Sequence, residues 1–308
     1  PRRPSGRPGD SRHPMNHTYY LGEVLKGGTR ALVSAGVENA RYDAEELLGH
    51  VTGVSPRELL LHRDRELEEE TARRFFDLIR RRCEHYPLQY LLQEWDFYNL
   101  SFTVREGVLI PRPETELLVD IALQYLKQFH SEGRPARVLD LCSGSGCVGI
   151  TVERNFENCE VIAVEKSDQA SAIIRGNMER NGTKRFTLKQ GDLFDGPAAF
   201  GIEKADLILA NPPYLTKEEM ESLQAEVGYE PSLALYGGED GLVFYHGIAE
   251  LWSPVLEQDG LIAVEIGEQQ GESVAKIFAD FSDNINVLKD YSGLPRVVVS
   301  GPSFFLTI

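Results

Sequence analysis

The 308-residue sequence has only four cysteines, two tryptophans and three methionines. Cys83, Cys142, Cys147 and Cys159 show neither metal-ligand spacing nor a dense disulfide framework, so we expect free thiols, no bound metal and a cytoplasmic location. No apolar segment approaches the roughly 20 residues of a membrane helix, and the first residues lack the apolar core of a signal peptide. These absences argue against membrane proteins and disulfide-stabilised secreted proteins.

Basic residues are scarce relative to acidic ones. The chain carries a net charge of −16; without residues 1–14, which hold four arginines and one aspartate, the 32 basic and 48 acidic residues become 28 and 47, a net charge of −19. Such a surface repels a phosphate backbone, so we expect no direct binding to duplex DNA. Residues 1–14 are rich in proline, arginine and glycine, and we predict that they form a disordered leader.

Hydrophobic periodicity divides the remaining chain into three parts. Residues 15–95 have apolar positions at helical spacing, which predicts a small N-terminal helical domain. Residues 96–110 alternate polar and apolar side chains around a glycine, which predicts a β-hairpin linker. Residues 111–308 alternate strand and helix patterns, which predicts an α/β domain, a parallel sheet with helices on both faces. At its start we expect Thr115 or the neighbouring acidic residues to cap a helix.

A glycine-rich turn, Cys142-Ser143-Gly144-Ser145-Gly146, follows the first strand of the predicted sheet and precedes a helix. Such a turn lets a ligand approach the backbone at the carboxyl edge of the sheet. Glu165 ends the second strand, where a carboxylate can accept hydrogen bonds from the hydroxyls of an adenosine ribose. This pattern fits either NAD or S-adenosylmethionine. Asp140 favours S-adenosylmethionine, because a carboxylate suits a cationic amino group and sulfonium better than a pyrophosphate.

Two further strand ends carry candidate site residues. Asp192 and Leu193 follow the third strand, where they would meet the edge and face of an adenine. The fourth strand ends in Asn211-Pro212-Pro213-Tyr214. The prolines restrict this turn, so the Asn211 amide and the Pro212 carbonyl are held as two acceptors beside an aromatic ring. We interpret the turn as a site for a planar NH2 group, with Asn211, Pro212 and Tyr214 catalytic and all four residues binding substrate.

These motifs together resemble the HemK/PrmC family, the glutamine methyltransferases of peptide chain release factors. The resemblance rests on Asn211 to Tyr214 and on segments at 90–97, 109–116, 139–146, 230–241 and 265–267. It implies a Rossmann-like class I S-adenosylmethionine-dependent fold. It further implies that the loop from Cys142 to Gly146, Glu165, Leu193 and Asn211 bind S-adenosylmethionine, which is converted to S-adenosylhomocysteine. The implied substrate is the glutamine of the Gly-Gly-Gln loop of class I release factors.

The sequence departs from the family pattern at three positions. Glu165 stands where aspartate is usual, and Cys142 and Gln93 stand where glycine is common. We expect Glu165 still to reach a ribose, whereas the other two raise the question of local backbone geometry. We expect a monomer whose helical domain recognises the substrate protein. Alternative interpretations are an adenine amino-methyltransferase acting on DNA or RNA, a NAD-dependent oxidoreductase, and a non-catalytic S-adenosylmethionine-binding or protein-interaction module.

Overall fold

A computed structural model describes residues 18–304 and 306–307. The predicted disordered leader, 1–14, lies outside the described residues. The chain divides into two compact units, one ending at Leu88 and the other beginning at Gln89. No helix within the described ranges has both the length and the apolar composition needed to cross a bilayer.

The first unit is a helical bundle. Its α-helices pack around an apolar core that includes Leu47, Leu48 and Phe75, each fully buried. The buried ion pair between Arg82 Nε and Asp43 Oδ2, 2.7 Å long, joins two of the helices. The elements are β1 (Tyr19–Tyr20), α1 (Leu21–Ser34), α2 (Ala40–Thr52), a 3-10 helix (Pro56–His62), β2 (Glu66–Leu67), which pairs antiparallel with β1, and α3 (Glu69–Cys83).

A β-hairpin lies near the start of the second unit. Helix α4 (Leu88–Leu92) precedes it, and the paired strands are β3 (Glu94–Phe97) and β4 (Leu100–Thr103). The hairpin therefore lies at 94–103, earlier than the predicted range of 96–110. The residues from Val104 to Ile110 instead form a connection with a turn at Glu106 and Gly107, and three of its side chains are buried, those of Val104, Val108 and Ile110.

Seven strands of the described second unit form one sheet flanked by helices. Five of the seven are parallel. The sequence pattern predicts strands at 138–141, 161–164, 186–188, 207–209, 261–264, 285–287 and 297–299, and each of these segments lies within one of the seven strands. The strands are β5 (Ala136–Leu141), β6 (Cys159–Glu165), β7 (Phe186–Gln190), β8 (Ala205–Ala210), β9 (Leu256–Glu265), β10 (Ile285–Lys289) and β11 (Pro295–Ser300). The helices are α5 (Glu116–Phe129), α6 (Cys147–Asn155), α7 (Asp168–Asn181), α8 (Lys217–Glu221), α9 (Val243–Gly247) and α10 (Gly271–Ala279).

The strand order is β7-β6-β5-β8-β9-β11-β10. The first five positions follow the dinucleotide-binding order, but β11 is then inserted antiparallel between β9 and β10. This arrangement confirms the predicted α/β sheet. It also separates the fold from the dinucleotide-binding fold that the glycine pattern alone allowed.

The apolar spacing also predicts helices near 216–226 and 241–257, and in the structure both are shorter or less regular than expected. The segment 216–226 contains only α8, after which the chain continues in turns. The segment 241–257 contains α9, then a π-helical turn at Ile248–Trp252 and a 3-10 turn at Ser253–Val255. Pro254 lacks the amide hydrogen needed to continue the α-helix. The π-helical turn buries the whole Trp252 side chain in the core beneath the sheet.

Asn177 on α7 connects the hairpin with the glycine-rich loop. This fully buried side chain accepts a hydrogen bond from the Thr103 backbone nitrogen at 2.6 Å. Its Nδ2 donates to the backbone oxygens of Thr103, at 3.1 Å, and Ser145, at 2.9 Å. A single amide therefore satisfies the backbone of two segments that are 42 residues apart in sequence.

Candidate active site

The candidate site lies at the carboxyl edge of the sheet, where β5 and β8 are neighbours. Leu141 pairs with Ala210, so Cys142 and Asn211 leave the sheet from paired positions. Crossovers run in opposite directions on either side of β5, which opens a crevice at this point. A pocket of about 270 Å³ occupies the crevice, and all of its lining residues belong to the second unit.

Most of the predicted site residues line this pocket. The exceptions are Gly146, Pro212 and Tyr214: Gly146 is the N-cap residue of α6 with φ +82°, and Pro212 is buried. Tyr214 packs against the apolar core below the sheet. The predicted residues that do line the pocket are Asp140, Cys142, Ser143, Gly144, Ser145, Glu165, Asp192, Leu193, Asn211 and Pro213.

Asp140 is a buried carboxylate at the base of the glycine-rich loop. Its Oδ2 accepts hydrogen bonds from Ser143 Oγ at 2.6 Å and from the Gly149 nitrogen at 3.0 Å. Burial raises the pKa of Asp140 to about 6, although these two bonds oppose the shift. A Cβ at Gly149 would lie only 2.7 Å from the same oxygen. Glycine at 149 is therefore required for α6 to approach β5 this closely.

Glu165 holds the other side of the loop. Its Oε2 accepts from the Gly144 nitrogen and its Oε1 from the Ser167 nitrogen, both at 2.8 Å. Burial raises the pKa of Glu165, while these backbone hydrogen bonds act in the opposite direction. Each carboxylate oxygen retains a lone pair for a ligand. The Glu165 side chain is thus hydrogen-bonded to the backbone of the glycine-rich loop at Gly144 and to the backbone after β6 at Ser167.

Asp192 and Leu193 form the far wall of the pocket. Asp192 accepts from the Phe194 nitrogen at 3.0 Å and pairs with Lys166 Nζ at 2.8 Å. Burial alone would raise the pKa of Asp192, but these partners outweigh it and the pKa is lowered. The Leu193 side chain is buried, and its carbonyl accepts from the Trp252 indole at 3.0 Å.

The turn after β8 is fixed by contacts with later segments of the chain. The Leu215 nitrogen donates to the Leu235 carbonyl at 2.8 Å, and Gln270 Nε2 donates to the Tyr214 carbonyl at 3.1 Å. A Cβ at Gly237 would lie 2.6 Å from the Pro213 oxygen, so glycine allows the loop to pack directly against the turn. The backbone of the turn is therefore rigidly supported.

Two residues next to Asn211 were not predicted as site residues. Thr115 was expected to cap α5, but its side chain makes no capping hydrogen bond. Its Oγ1 instead accepts from Asn211 Nδ2 at 3.5 Å, and its hydroxyl interacts with the Glu265 carboxylate. Glu265 ends β9, and burial raises its pKa to about 7. The Glu265-Ile-Gly267 motif was visible in the sequence, but its proximity to Thr115 was not.

Arg112 is a further pocket residue that the site prediction missed. Its guanidinium forms an ion pair with Glu230, whose side chain is 2% exposed. Glu230 Oε2 also accepts from the Ile110 nitrogen at 2.8 Å. These contacts hold the 109–116 segment against the start of the 230–241 segment, and both segments belong to the family resemblance.

The two positions where glycine is common in the family have left-handed backbone. Cys142 has φ +57° and Gln93 has φ +59°. Glycine adopts this conformation without steric cost, whereas other residues pay for it. Cys142 and Gln93 therefore hold a backbone conformation that glycine would adopt at lower cost.

The sheet order, the pocket and the turn after β8 define a class I methyltransferase fold. A solved structure of the hMettl16 catalytic domain has a TM-score of 0.50 and 13% identity, covering 67% of this chain and 78% of that one. Family models match too: the PrmC N-terminal domain over residues 23–92 and the methyltransferase small domain over residues 116–227.

Curated relatives identify the family within this class. The release factor glutamine methyltransferase of Geobacter sulfurreducens is 38% identical over 279 residues, which is 90% of this chain and 94% of the relative. That of Clostridium acetobutylicum is 35% identical over 261 residues, 84% of this chain and 90% of the relative. The chain belongs to the release factor glutamine methyltransferase family.

Proposed function

We propose that this protein transfers a methyl group from S-adenosylmethionine to the side-chain amide nitrogen of the glutamine in the Gly-Gly-Gln loop of class I release factors. The observation that carries the proposal is the supported turn from Asn211 to Tyr214 at the edge of an acidic pocket. The family membership and the four free cysteines fit an enzyme of translation in the cytoplasm.

The charged side chains that line the pocket fit S-adenosylmethionine better than a dinucleotide. Three carboxylates, those of Asp140, Glu165 and Asp192, line it, and its cationic residues Arg112 and Lys166 are each already paired with an acid. Carboxylates repel a pyrophosphate and attract an ammonium or sulfonium group. Bound S-adenosylmethionine supplies an electrophilic methyl group and leaves as S-adenosylhomocysteine.

We assign the parts of the cofactor by the chemistry of each residue. Glu165 has lone pairs available for the ribose hydroxyls, while Asp192 and Leu193 offer an acceptor and an apolar surface to adenine. Asp140 and the loop from Cys142 to Gly146 surround the methionine portion. These assignments keep the negative charge of Asp140 close to the positive charge of the cofactor.

Asn211 and the turn act on the substrate amide. An amide nitrogen is a poor nucleophile because its lone pair is delocalised into the carbonyl. Asn211 Oδ1 and the Pro212 carbonyl each accept one N–H, which aims the lone pair into the pocket and stabilises positive charge on the nitrogen. Tyr214 supports the turn from the core side. No base is needed beforehand, because the nitrogen becomes acidic only once it has been methylated.

A labelled methyl-transfer assay tests the proposal. Intact release factor, its Gly-Gly-Gln→Gly-Gly-Ala variant and duplex DNA serve as parallel acceptors. We expect label on the intact factor alone; label on DNA alone would assign the turn to adenine. Asn211→Ala should lower kcat about 100-fold or more, a larger effect than any loss of S-adenosylmethionine affinity, because an acceptor for the reacting amide is lost. Near-normal turnover would contradict the proposed role of Asn211.

The helical unit is the proposed surface for recognition of the release factor. Leu60 and Leu61 of its 3-10 helix are 61% and 82% exposed. Neighbouring large apolar side chains left in water are candidates for an interface. Leu60→Ser with Leu61→Ser should raise KM for the intact factor about tenfold and leave kcat/KM for a short Gly-Gly-Gln peptide unchanged. Exposed Val33→Ser is the matched control. Equal KM values for double variant and wild type would contradict this role.

A further inference from the structure

Glu265 is a buried carboxyl group next to the proposed substrate turn. Ala210 at the end of β8 pairs with Val264 of β9. The next residues along the two parallel strands, Asn211 and Glu265, are therefore neighbours at the same edge of the sheet. Glu265 is 2% exposed, and its Oε2 has no hydrogen-bond partner within residues 18–304 and 306–307. Leaving a carboxylate oxygen unpaired in the interior costs free energy, so its retention calls for a role.

Thr115 lies between Glu265 and Asn211. It is 2% exposed and its hydroxyl interacts with the Glu265 carboxylate. Its Oγ1 also receives the hydrogen bond from Asn211 Nδ2 at 3.5 Å. A hydroxyl has one proton to give and two lone pairs with which to accept. Donation towards Glu265 therefore leaves the Thr115 oxygen as an acceptor for Asn211.

We propose that Glu265 is a positioning residue that acts through Thr115 to fix the orientation of the Asn211 amide. The inference rests on the proposed function, in which Asn211 must present its oxygen to the substrate NH2 group. With Thr115 accepting from Nδ2, Oδ1 faces the substrate. If Thr115 donated to Asn211 instead, the amide would turn and present its own NH2 group to that of the substrate.

The charge state of Glu265 decides which way the Thr115 proton points. A carboxylate can only accept, whereas a protonated carboxyl can donate to Thr115 and release the Thr115 proton towards Asn211. Burial raises the pKa of Glu265 to about 7, opposed by Thr115. The productive orientation is thus favoured above about pH 7. The titratable and charged groups that act on Glu265, or on which it acts, are Arg112, Glu114, Cys147, Tyr214, Tyr245 and Arg296.

A matched pair of substitutions at Thr115 tests the relay. Thr115→Val keeps the shape and removes the hydroxyl, while Thr115→Ser keeps the hydroxyl. With full-length protein, intact release factor and S-adenosylmethionine, we expect Thr115→Val to lower kcat about 10- to 100-fold, as for loss of one positioned polar group. Thr115→Ser should stay within about threefold of wild type. Calorimetry should show S-adenosylmethionine affinity within threefold for both.

The pH profile tests Glu265 itself. Wild-type kcat should rise through about pH 7, and this inflection should be absent in Glu265→Gln, whose kcat should be about tenfold lower at pH 8. Glu153→Gln is the matched control: Glu153 is also buried, its Oε2 has no hydrogen-bond partner in the part of the chain that the structure describes, and its Oε1 accepts from the Lys184 and Arg185 nitrogens away from the pocket. The control should keep both the rate and the inflection.

The outcomes separate the inference from the proposed function. Absence of glutamine methylation by the wild type would overturn the proposed function. An active wild type with equal losses in Thr115→Val and Thr115→Ser, or with a loss of cofactor affinity that parallels kcat, would overturn the relay. An unchanged pH inflection in Glu265→Gln would also overturn the relay. If Thr115→Val fails to fold, the pH profile of Glu265→Gln is the test of the relay.

Discussion

Removal of the Glu230 carboxylate should release the 109–116 segment, which contributes to the lining of the pocket. Glu230→Ala deletes the acceptor for the Ile110 nitrogen and the ion-pair partner of Arg112. Ile110 is buried, so its amide would lose its partner without gaining water. Glu230→Gln keeps one acceptor oxygen and removes only the charge.

The magnitude follows from the exposure of each partner. An unpaired buried N–H costs about 1–3 kcal/mol. The Arg112 side chain is 34% exposed and can rehydrate, so its contribution is discounted to about 1 kcal/mol. We therefore expect Glu230→Ala to lower the free energy of unfolding by about 2–4 kcal/mol. Glu230→Gln should lower it by about 1–2 kcal/mol, since a neutral hydrogen bond is roughly half as strong as a charged one.

Denaturant and thermal unfolding provide the assay. For a unit of this size, each kcal/mol corresponds to about 2–4 °C in Tm, so Glu230→Ala should lower Tm by roughly 4–16 °C. The exposed Glu218→Ala on α8 serves as the control and should stay within about 0.5 kcal/mol. A Glu230→Ala protein as stable as this control would refute the reasoning. So would Glu230→Gln being less stable than Glu230→Ala.

Two further predictions concern single positions. Burial raises the pKa of Asp140 to about 6, so its negative charge is lost as the pH falls through that value. Calorimetry should therefore show weaker S-adenosylmethionine binding below pH 6. Asp140→Asn should bind S-adenosylmethionine about tenfold less tightly at pH 8, and its affinity should no longer change around pH 6. Gln93→Gly should raise the free energy of unfolding by about 0.5–1 kcal/mol, since it relieves a left-handed conformation at an exposed position, and a value below wild type in urea titrations would contradict this.

The strands and the main loops of the site could be predicted because their signals are local. The apolar segment of β8 and the glycine-rich turn after β5 are each readable within about ten residues. Their meeting at one edge follows from the parallel sheet, which the alternating pattern indicates. Ten of the predicted site residues accordingly line one pocket.

The missed residues depend on contacts between distant parts of the chain. Glu230 meets Arg112 across 118 residues of sequence, and Glu265 reaches Thr115 across 150. Thr115 stands where a helix cap is expected, so a local interpretation assigned its hydroxyl to α5. Periodicity carries no information on which polar side chains meet across a sheet edge. The irregular turns at 248–255 were not predicted because they also depend on distant contacts: burial of Trp252 in the core outweighs the local helical preference.

The three hydrogen bonds of Asn177 have a consequence for recombination between relatives. Its carbonyl and both amide hydrogens are used by Thr103 and Ser145, so aspartate, leucine and glutamine each fail to reproduce the contact. Because these partners are backbone groups, any parent's hairpin supplies them, and a chimera keeps the contact whenever the parent that supplies α7 carries asparagine at this position. Functional chimeras should therefore take α7 from such parents, and members of a library that lack this asparagine should be lost preferentially.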